Sequence, residues 1–149
     1  MDSPLEKTIK PSDKLMTGKR GLIMGVANDH SIAWGIAQTL ADHGAELAFT
    51  YQGDALRKRL EPLAESIGSN LVLPCDVEHE AELDAVVENL SDVWGDIDFA
   101  VHAIAFSNRD ELKGRYVDTS RQNFSNTLDI SCFSFTALVQ RLTPLMKNG

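Results

Sequence analysis

The stretch Lys19 to Gly35 reads K-R-G-L-I-M-G-V-A-N-D-H-S-I-A-W-G, and the rest of the chain is organised around it. Its first part, Gly21 to Val26, is a short apolar run suited to a buried strand. From Ser31 a helical pattern opens. Between the two lies a tight turn that starts at Gly25 and continues in small or polar residues. A strand that passes through a glycine turn into a helix N-terminus is a ready anion site. The unpaired N–H groups of the first helical turn and the positive end of the helix dipole both face whatever occupies the turn. In a doubly wound α/β fold the usual occupant is the pyrophosphate of a dinucleotide. The spacing here is G-x5-S-x3-G over Gly25, Ser31 and Gly35, not the common G-x-G-x-x-G. The same residues also suit a plain strand-turn-helix, with Ser31 as an N-cap and Gly35 permitting close helix–strand packing.

Outward from that stretch, strands and helices alternate. Ser31 to His43 carries Ile32, Ile36, Ala37 and Leu40 at helical spacing, and Gly44 suits the position past a helix end. Glu46 to Tyr51 (E-L-A-F-T-Y) predicts a second strand. A helix capped by Asp54 follows, with Leu56, Leu60 and Leu63 on one face and Pro62 expected to kink or split it. Asn70 to Cys75 (N-L-V-L-P-C) predicts a third strand that loses ladder bonding at Pro74. Glu78 to Trp94 places Leu83, Val86, Val87, Leu90, Val93 and Trp94 on one helical face, closed by Gly95. Asp98 to Ile104 predicts a fourth strand, then a polar loop from Ser107 to about Asp118, then one long helix over Ser120 to Met146.

This β-α-β-α-β-α-β-loop-α order predicts βαβ units in a parallel sheet. Right-handed crossovers put the strands in the order 3-2-1-4. The fold class expected is therefore α/β, a Rossmann-like doubly wound sheet, incomplete because such a fold needs two halves. Strand four would then carry a long apolar edge open to a fifth strand, so the chain reads as the N-terminal part of a longer protein. Residues 1–16, polar and with two prolines, read as a mobile arm, and residues 17–149 as a dinucleotide-binding domain truncated at its C-terminal side.

The 149 residues suffice for one real core, and the formal net charge of −8 argues against nucleic acid and anionic membrane surfaces as main partners. No run approaches the roughly 18 apolar residues of a membrane span, and the N-terminus has no apolar signal region. The two cysteines, Cys75 and Cys132, lie in apolar contexts without metal-type spacing, which predicts buried free thiols in a reducing compartment. A soluble, cytoplasmic protein without a metal is expected.

Five stretches together resemble the NADH-dependent enoyl-[acyl-carrier-protein] reductases of bacterial fatty-acid synthesis, within the short-chain dehydrogenase/reductase superfamily. They are G-V-A-N-D-H-S-I-A-W-G, G-A-E-L-A-F-T-Y-Q, L-P-C-D-V, V-H-A-I-A-F and L-D-I-S-C-F-S-F, and the resemblance runs from Met16 to Gly149. It implies NADH/NAD as cofactor, with Gly25 under the pyrophosphate and Ser31 and Ile32 at the helix start. Gln52 is implied on the adenine side, where many NAD sites carry an acid; the plain reading is a turn residue. Asp76 and Val77 are implied at the adenine, the carboxylate taking the exocyclic amine and the valine packing on the ring; the plain reading of Asp76 is a helix cap. Arg57 and Lys58 could reach a 2′-phosphate, so the lean is to NADH over NADPH. Ile104 is implied at the ribose or nicotinamide, with Phe106 and Ser107 bordering the acyl pocket. His102 reads as a packed strand residue.

The turn His102-Ala103-Ile104-Ala105 departs from the N-N-A-G-like turn of general short-chain ketoreductases, the rival enzyme reading. Many family members carry Gly where this chain has Ala105. The added methyl is expected to crowd inhibitors that stack on the cofactor, at an overpacking cost of roughly 1–3 kcal/mol.

The implied reaction delivers hydride to the β-carbon of a trans-2-enoyl thioester carried on acyl carrier protein, and the resulting enolate oxygen needs a hydrogen-bond donor and a proton. In the family a tyrosine, with a lysine seven residues later, does this. Tyr51 and Lys58 show that spacing but lie on the adenine side, and Tyr116 has no lysine at that offset. No catalytic residue is assigned in this chain, which is expected to be inactive alone; an inactive nucleotide-binding fragment stays open beside the oxidoreductase reading. Lys113, Arg115 and Arg121 are candidates to receive the acidic carrier protein. A homo-oligomer, a tetramer in the family, is implied, with the helix after Ser120 offering Phe124, Leu128, Phe133, Phe135, Leu138 and Leu142.

Overall fold

The structure, a computed structural model, describes residues 14–147. Of the expected N-terminal arm, residues 1–13 lie outside the described residues. Met16 is tied to the domain, its N–H donating to the His43 carbonyl at 2.9 Å.

Four parallel strands form one sheet: β1 (Arg20–Met24), β2 (Glu46–Tyr51), β3 (Leu71–Pro74) and β4 (Phe99–His102). Their spatial order is β3-β2-β1-β4, as expected. Helices α1 (Ile32–Asp42), α2 (Gly53–Ser66) and α3 (Glu80–Trp94) connect them. After β4 come two short 3-10 turns, then α4 (Arg121–Leu128), a π turn over Asp129–Phe133, and α5 (Ser134–Leu142).

Strand pleating sends alternate side chains to opposite faces, and the central strands are apolar on both. Leu22, Met24 and Ala48 join Leu83, Val86 and Leu90 of α3 and Ala137, Leu138 and Leu142 of α5. Ile23, Leu47 and Phe49 join Ala33, Trp34 and Ala37 of α1 and Leu60 and Ala64 of α2. Burial on both faces is the mark of a parallel sheet with helices on either side. Arg141 of α5 braces one helical layer by reaching Asp84 (2.6 Å) and Glu80 (2.9 Å) of α3. Among the described residues β4 pairs with β1 alone.

Several local expectations are corrected. α2 continues through Pro62 as one helix, because the proline lies on the exposed side, where water can meet the carbonyl it leaves unpaired. Gln52 rather than Asp54 is its N-cap residue. The long helix over 120–146 is interrupted by the π turn, which re-aims its apolar stripe. Leu138 and Leu142 are buried, whereas Phe124, Leu128, Phe133 and Phe135 stay exposed. Cys75 is buried as expected, but Cys132, carried outward by the π turn, is exposed. α1 buries Ala33, Trp34 and Ala37 rather than Ile32, which is 81% exposed. A Cβ on Gly35 would meet nothing within 4 Å, so close helix–strand packing does not require this glycine.

Candidate functional site

At the carboxyl end of the sheet the N-termini of α1, α2 and α3 converge, since each helix follows its strand across that edge. A cleft of about 340 Å³ opens there, within the roughly 300–1,000 Å³ of small-molecule sites. Gly25, Gln52, Asp76, Val77, Ile104 and Phe106 line it, with Ala105 and, on the adenine side, Tyr51, as the sequence implies; Ala103 and Leu56 join them. Ser31, Ile32 and Ser107 do not line it.

The glycine turn is dictated by crowding. Gly25 has φ +100°, and a Cβ there would fall 2.1 Å from the Ala103 carbonyl oxygen. The chain leaving β4 runs directly over the turn, with Ala103 N–H donating to Met24 C=O at 3.1 Å. Ser31 occupies the N-cap position of α1, yet its hydroxyl does not cap the helix. It reaches back instead and accepts from the amides of Ala27 (2.9 Å) and Asn28 (3.0 Å). The Ser31 hydroxyl thereby satisfies two donors of the turn, while the amides of Ile32 and Ala33 meet no acceptor among the described residues. Two unpaired N–H groups at the positive end of an eleven-residue helix suit a phosphate.

The β3 side of the cleft is acidic and tightly bonded. Gln52 Nε2 donates to Asp76 Oδ2 at 3.1 Å, and Glu78 N–H donates to Asp76 Oδ1 at 3.0 Å. Asp76 N–H donates to Glu82 at 2.7 Å. Beneath them burial, and then the charges of Glu82 and Asp76, push the Cys75 thiol up to about 12, so it stays protonated and inert.

The β4 side is set by contacts with α4 and the π turn. Phe106 N–H donates to Ser131 Oγ at 3.1 Å. Asn123, nearly buried, accepts from Asn108 N–H (2.9 Å) and donates to Ser107 Oγ (3.1 Å), which also meets Thr127 Oγ1 (3.0 Å). Ser107 therefore faces α4. Ser134 donates to Ile130 C=O at 2.5 Å, leaving it to accept from His102 Nε2 at 2.7 Å. That pairing assigns the proton to Nε2. Burial lowers the His102 pKa, and the ring packs edge-on to Phe135. His102 is a packed strand residue, held by the helix behind it.

Glu82, Ser131 and Asn123 act at this site and were missed in the sequence, where each is an ordinary polar residue on a helix. Their partners lie 6, 25 and 15 residues away, so no local spacing announces them. Among the described residues no cluster of three or more His, Cys, Asp or Glu could hold a metal ion, and no helix is long and apolar enough to cross a membrane.

A family model described as enoyl-(acyl carrier protein) reductase matches residues 25–149. The chain is 62% identical over 135 residues to enoyl-[acyl-carrier-protein] reductase [NADH] 2 of Rhizobium meliloti, covering 91% of this chain and 50% of that protein. It is similar to the crystal structure of FabI from Candidatus Liberibacter asiaticus (TM-score 0.86, 54% identity, 88% of this chain and 51% of the other). It is also similar to the Anaplasma phagocytophilum enoyl-(acyl-carrier-protein) reductase solved in complex with NAD (TM-score 0.87, 52% identity, 90% and 51%). The chain spans about half the length of the relatives it matches.

Proposed function

Because the chain belongs to the enoyl-(acyl carrier protein) reductase family, we propose that it forms the nucleotide-binding half of an NADH-dependent enoyl-[acyl-carrier-protein] reductase. The observation that carries this is the cleft at the carboxyl edge of the sheet, with Gly25 in its lining, and the free amides of Ile32 and Ala33 at the start of α1. The donor set suits a pyrophosphate. Gln52 and Asp76 hold the adenosine, Val77 packs on its ring, and Ile104 lies along the ribose and nicotinamide. Phe106 borders the acyl chain, and Ser107 acts from the loop behind it. Residues 17–149 constitute this domain. NADH, when bound, supplies the hydride for a trans-2-enoyl thioester. The chain's own residues bind and orient, and the donor to the enolate oxygen is not among them.

Of the cations considered for the acidic carrier protein, Arg115 is held by both oxygens of Asp118 (2.9 and 2.8 Å). Lys113 and Arg121 have no carboxylate partner among the described residues and are the better candidates. The exposed side chains Phe124, Leu128, Phe133, Phe135 and Val139 support burial against further copies in a homotetramer, in the cytoplasm, where free thiols persist.

The test is a titration of the chain with NADH, followed by nicotinamide fluorescence, and an assay of NADH oxidation with a crotonyl thioester. Binding without turnover is expected from the chain alone, with turnover recovered on adding the C-terminal half of the Rhizobium meliloti relative. Absence of NADH binding contradicts the proposal.

A further inference from the structure

β3 ceases to be a strand just where the chain meets the cleft. Its last ladder contact runs from Cys75 N–H to Tyr51 C=O at 2.8 Å. β3 is the edge strand, so the next amide, Asp76 N–H, points away from β2 and has no strand carbonyl to meet. Glu82 takes it, with Oε2 at 2.7 Å. Glu82 is the third residue of α3 after the N-cap His79. A glutamate there ordinarily reaches back to the amide of the N-cap residue itself. Here it reaches three residues further, to the residue that carries the cleft carboxylate.

The rest of Asp76 is pinned as well. Its carbonyl accepts from His79 N–H at 3.0 Å. Its carboxylate oxygens accept from Gln52 Nε2 and Glu78 N–H, and each keeps a lone pair. The His79 ring lies 3.7 Å from Asp76 Oδ2 and 3.6 Å from Glu82 Oε1, between the two carboxylates. Glu82 itself does not line the cleft. Without it, Asp76 N–H loses the acceptor it has among the described residues, and the main chain that carries the carboxylate loses one of its ties.

We infer that Glu82 is a positioning residue for the adenine end of the cleft, fixing the aim of Asp76 and Val77 through the Asp76 main chain without touching the nucleotide. The inference rests on the dinucleotide reading above. It predicts that base discrimination, rather than nucleotide affinity in general, depends on Glu82.

The experiment compares NADH with its hypoxanthine analogue, in which the exocyclic amine is replaced by a carbonyl that Asp76 cannot accept from. The unaltered chain is expected to prefer adenine by about tenfold, the scale of one hydrogen bond to a charged acceptor. Glu82→Ala and the near-isosteric Glu82→Met should shrink that preference to within about twofold, whereas Glu82→Gln keeps an acceptor oxygen and should retain it. A general loss of stability weakens both nucleotides together and leaves the ratio unchanged, so the ratio isolates positioning. An undiminished preference in both Ala and Met variants overturns the inference alone. Equal binding of the two nucleotides by the unaltered chain overturns Asp76 as the adenine reader, and Glu82 with it. Failure to bind either nucleotide overturns the dinucleotide reading itself.

Discussion

The sheet has a cleft at each end, and the two are alike in size and opposite in chemistry. The one at the carboxyl edge measures about 340 Å³; the one at the amino edge, lined by Glu46, Ile67, Ser69, Asn70, Val93 and Trp94 among others, about 390 Å³. The larger is not the better site. At the carboxyl edge helices begin, and α1 presents unpaired amides and a positive dipole end. At the amino edge α2 and α3 finish, and their last carbonyls are met by the chain's own amides, as where Ser69 N–H and Gly95 N–H return to Ala64 and Ser91. A negative dipole end with its acceptors already engaged has nothing to offer an anion. Volume therefore says less than the direction in which the helices run.

Substitutions of paired residues at the two ends can break or sharpen this contrast. Gly25→Val should have the largest effect, since its Cβ meets the Ala103 carbonyl at 2.1 Å and its φ is +100°. A stability loss of about 3 kcal/mol or more is expected, with NADH binding abolished; chemical denaturation and fluorescence titration check both. Its counterpart at the amino edge, Gly68→Ala, has open space around the Cβ and only a positive φ to strain. It should cost about 1 kcal/mol and leave NADH affinity unchanged.

Next comes Ser31→Ala. Two turn amides lose their acceptor, so NADH should bind about tenfold more weakly, whereas Asn70→Ala at the far edge should change the dissociation constant by less than about twofold. Asn123→Ala separates structure from cofactor binding within the carboxyl edge. It strips partners from Asn108 N–H and Ser107 Oγ and should destabilise by about 1–3 kcal/mol with NADH affinity intact. Any large affinity change would place the 106–120 loop at the nucleotide.

The smallest effect is one of pH. Burial lowers the His102 pKa in the folded chain, while the unfolded chain takes up a proton near pH 6.5. Stability linked to His102 is thus complete above about pH 6.5 and falls as the pH drops below it. Melting temperatures measured from pH 7.5 down to 5.5 should fall less steeply in His102→Gln than in the unaltered chain.

What was legible in the sequence is what rests on periodicity and on glycine. The strand order 3-2-1-4, both helical layers and the gathering of Gly25, Gln52, Asp76, Val77 and Ile104 in one cleft follow from apolar alternation, βαβ handedness and motif resemblance. What was not legible depends on tertiary direction. Ile32 keeps helical spacing yet points outward, because Trp34, packed 6.4 Å from the Phe49 ring, decides which face of α1 docks. Ser31 has the composition of a cap, but its hydroxyl serves the turn behind it. The π turn, which exposes Cys132 and shifts the stripe of α5, leaves no mark in hydrophobic spacing, since the residues on either side each keep a helical pattern.

The two clefts differ most sharply in which of them receives the nucleotide. Amide chemical shifts of the isotope-labelled chain, followed through an NADH titration, decide it directly. The amides of Gly25, Ile32, Ala33, Val77 and Ile104 should move together and saturate, while those of Gly68, Ser69, Asn70 and Trp94 stay in place. Saturable shifts at the second set, with the first unmoved, would contradict it.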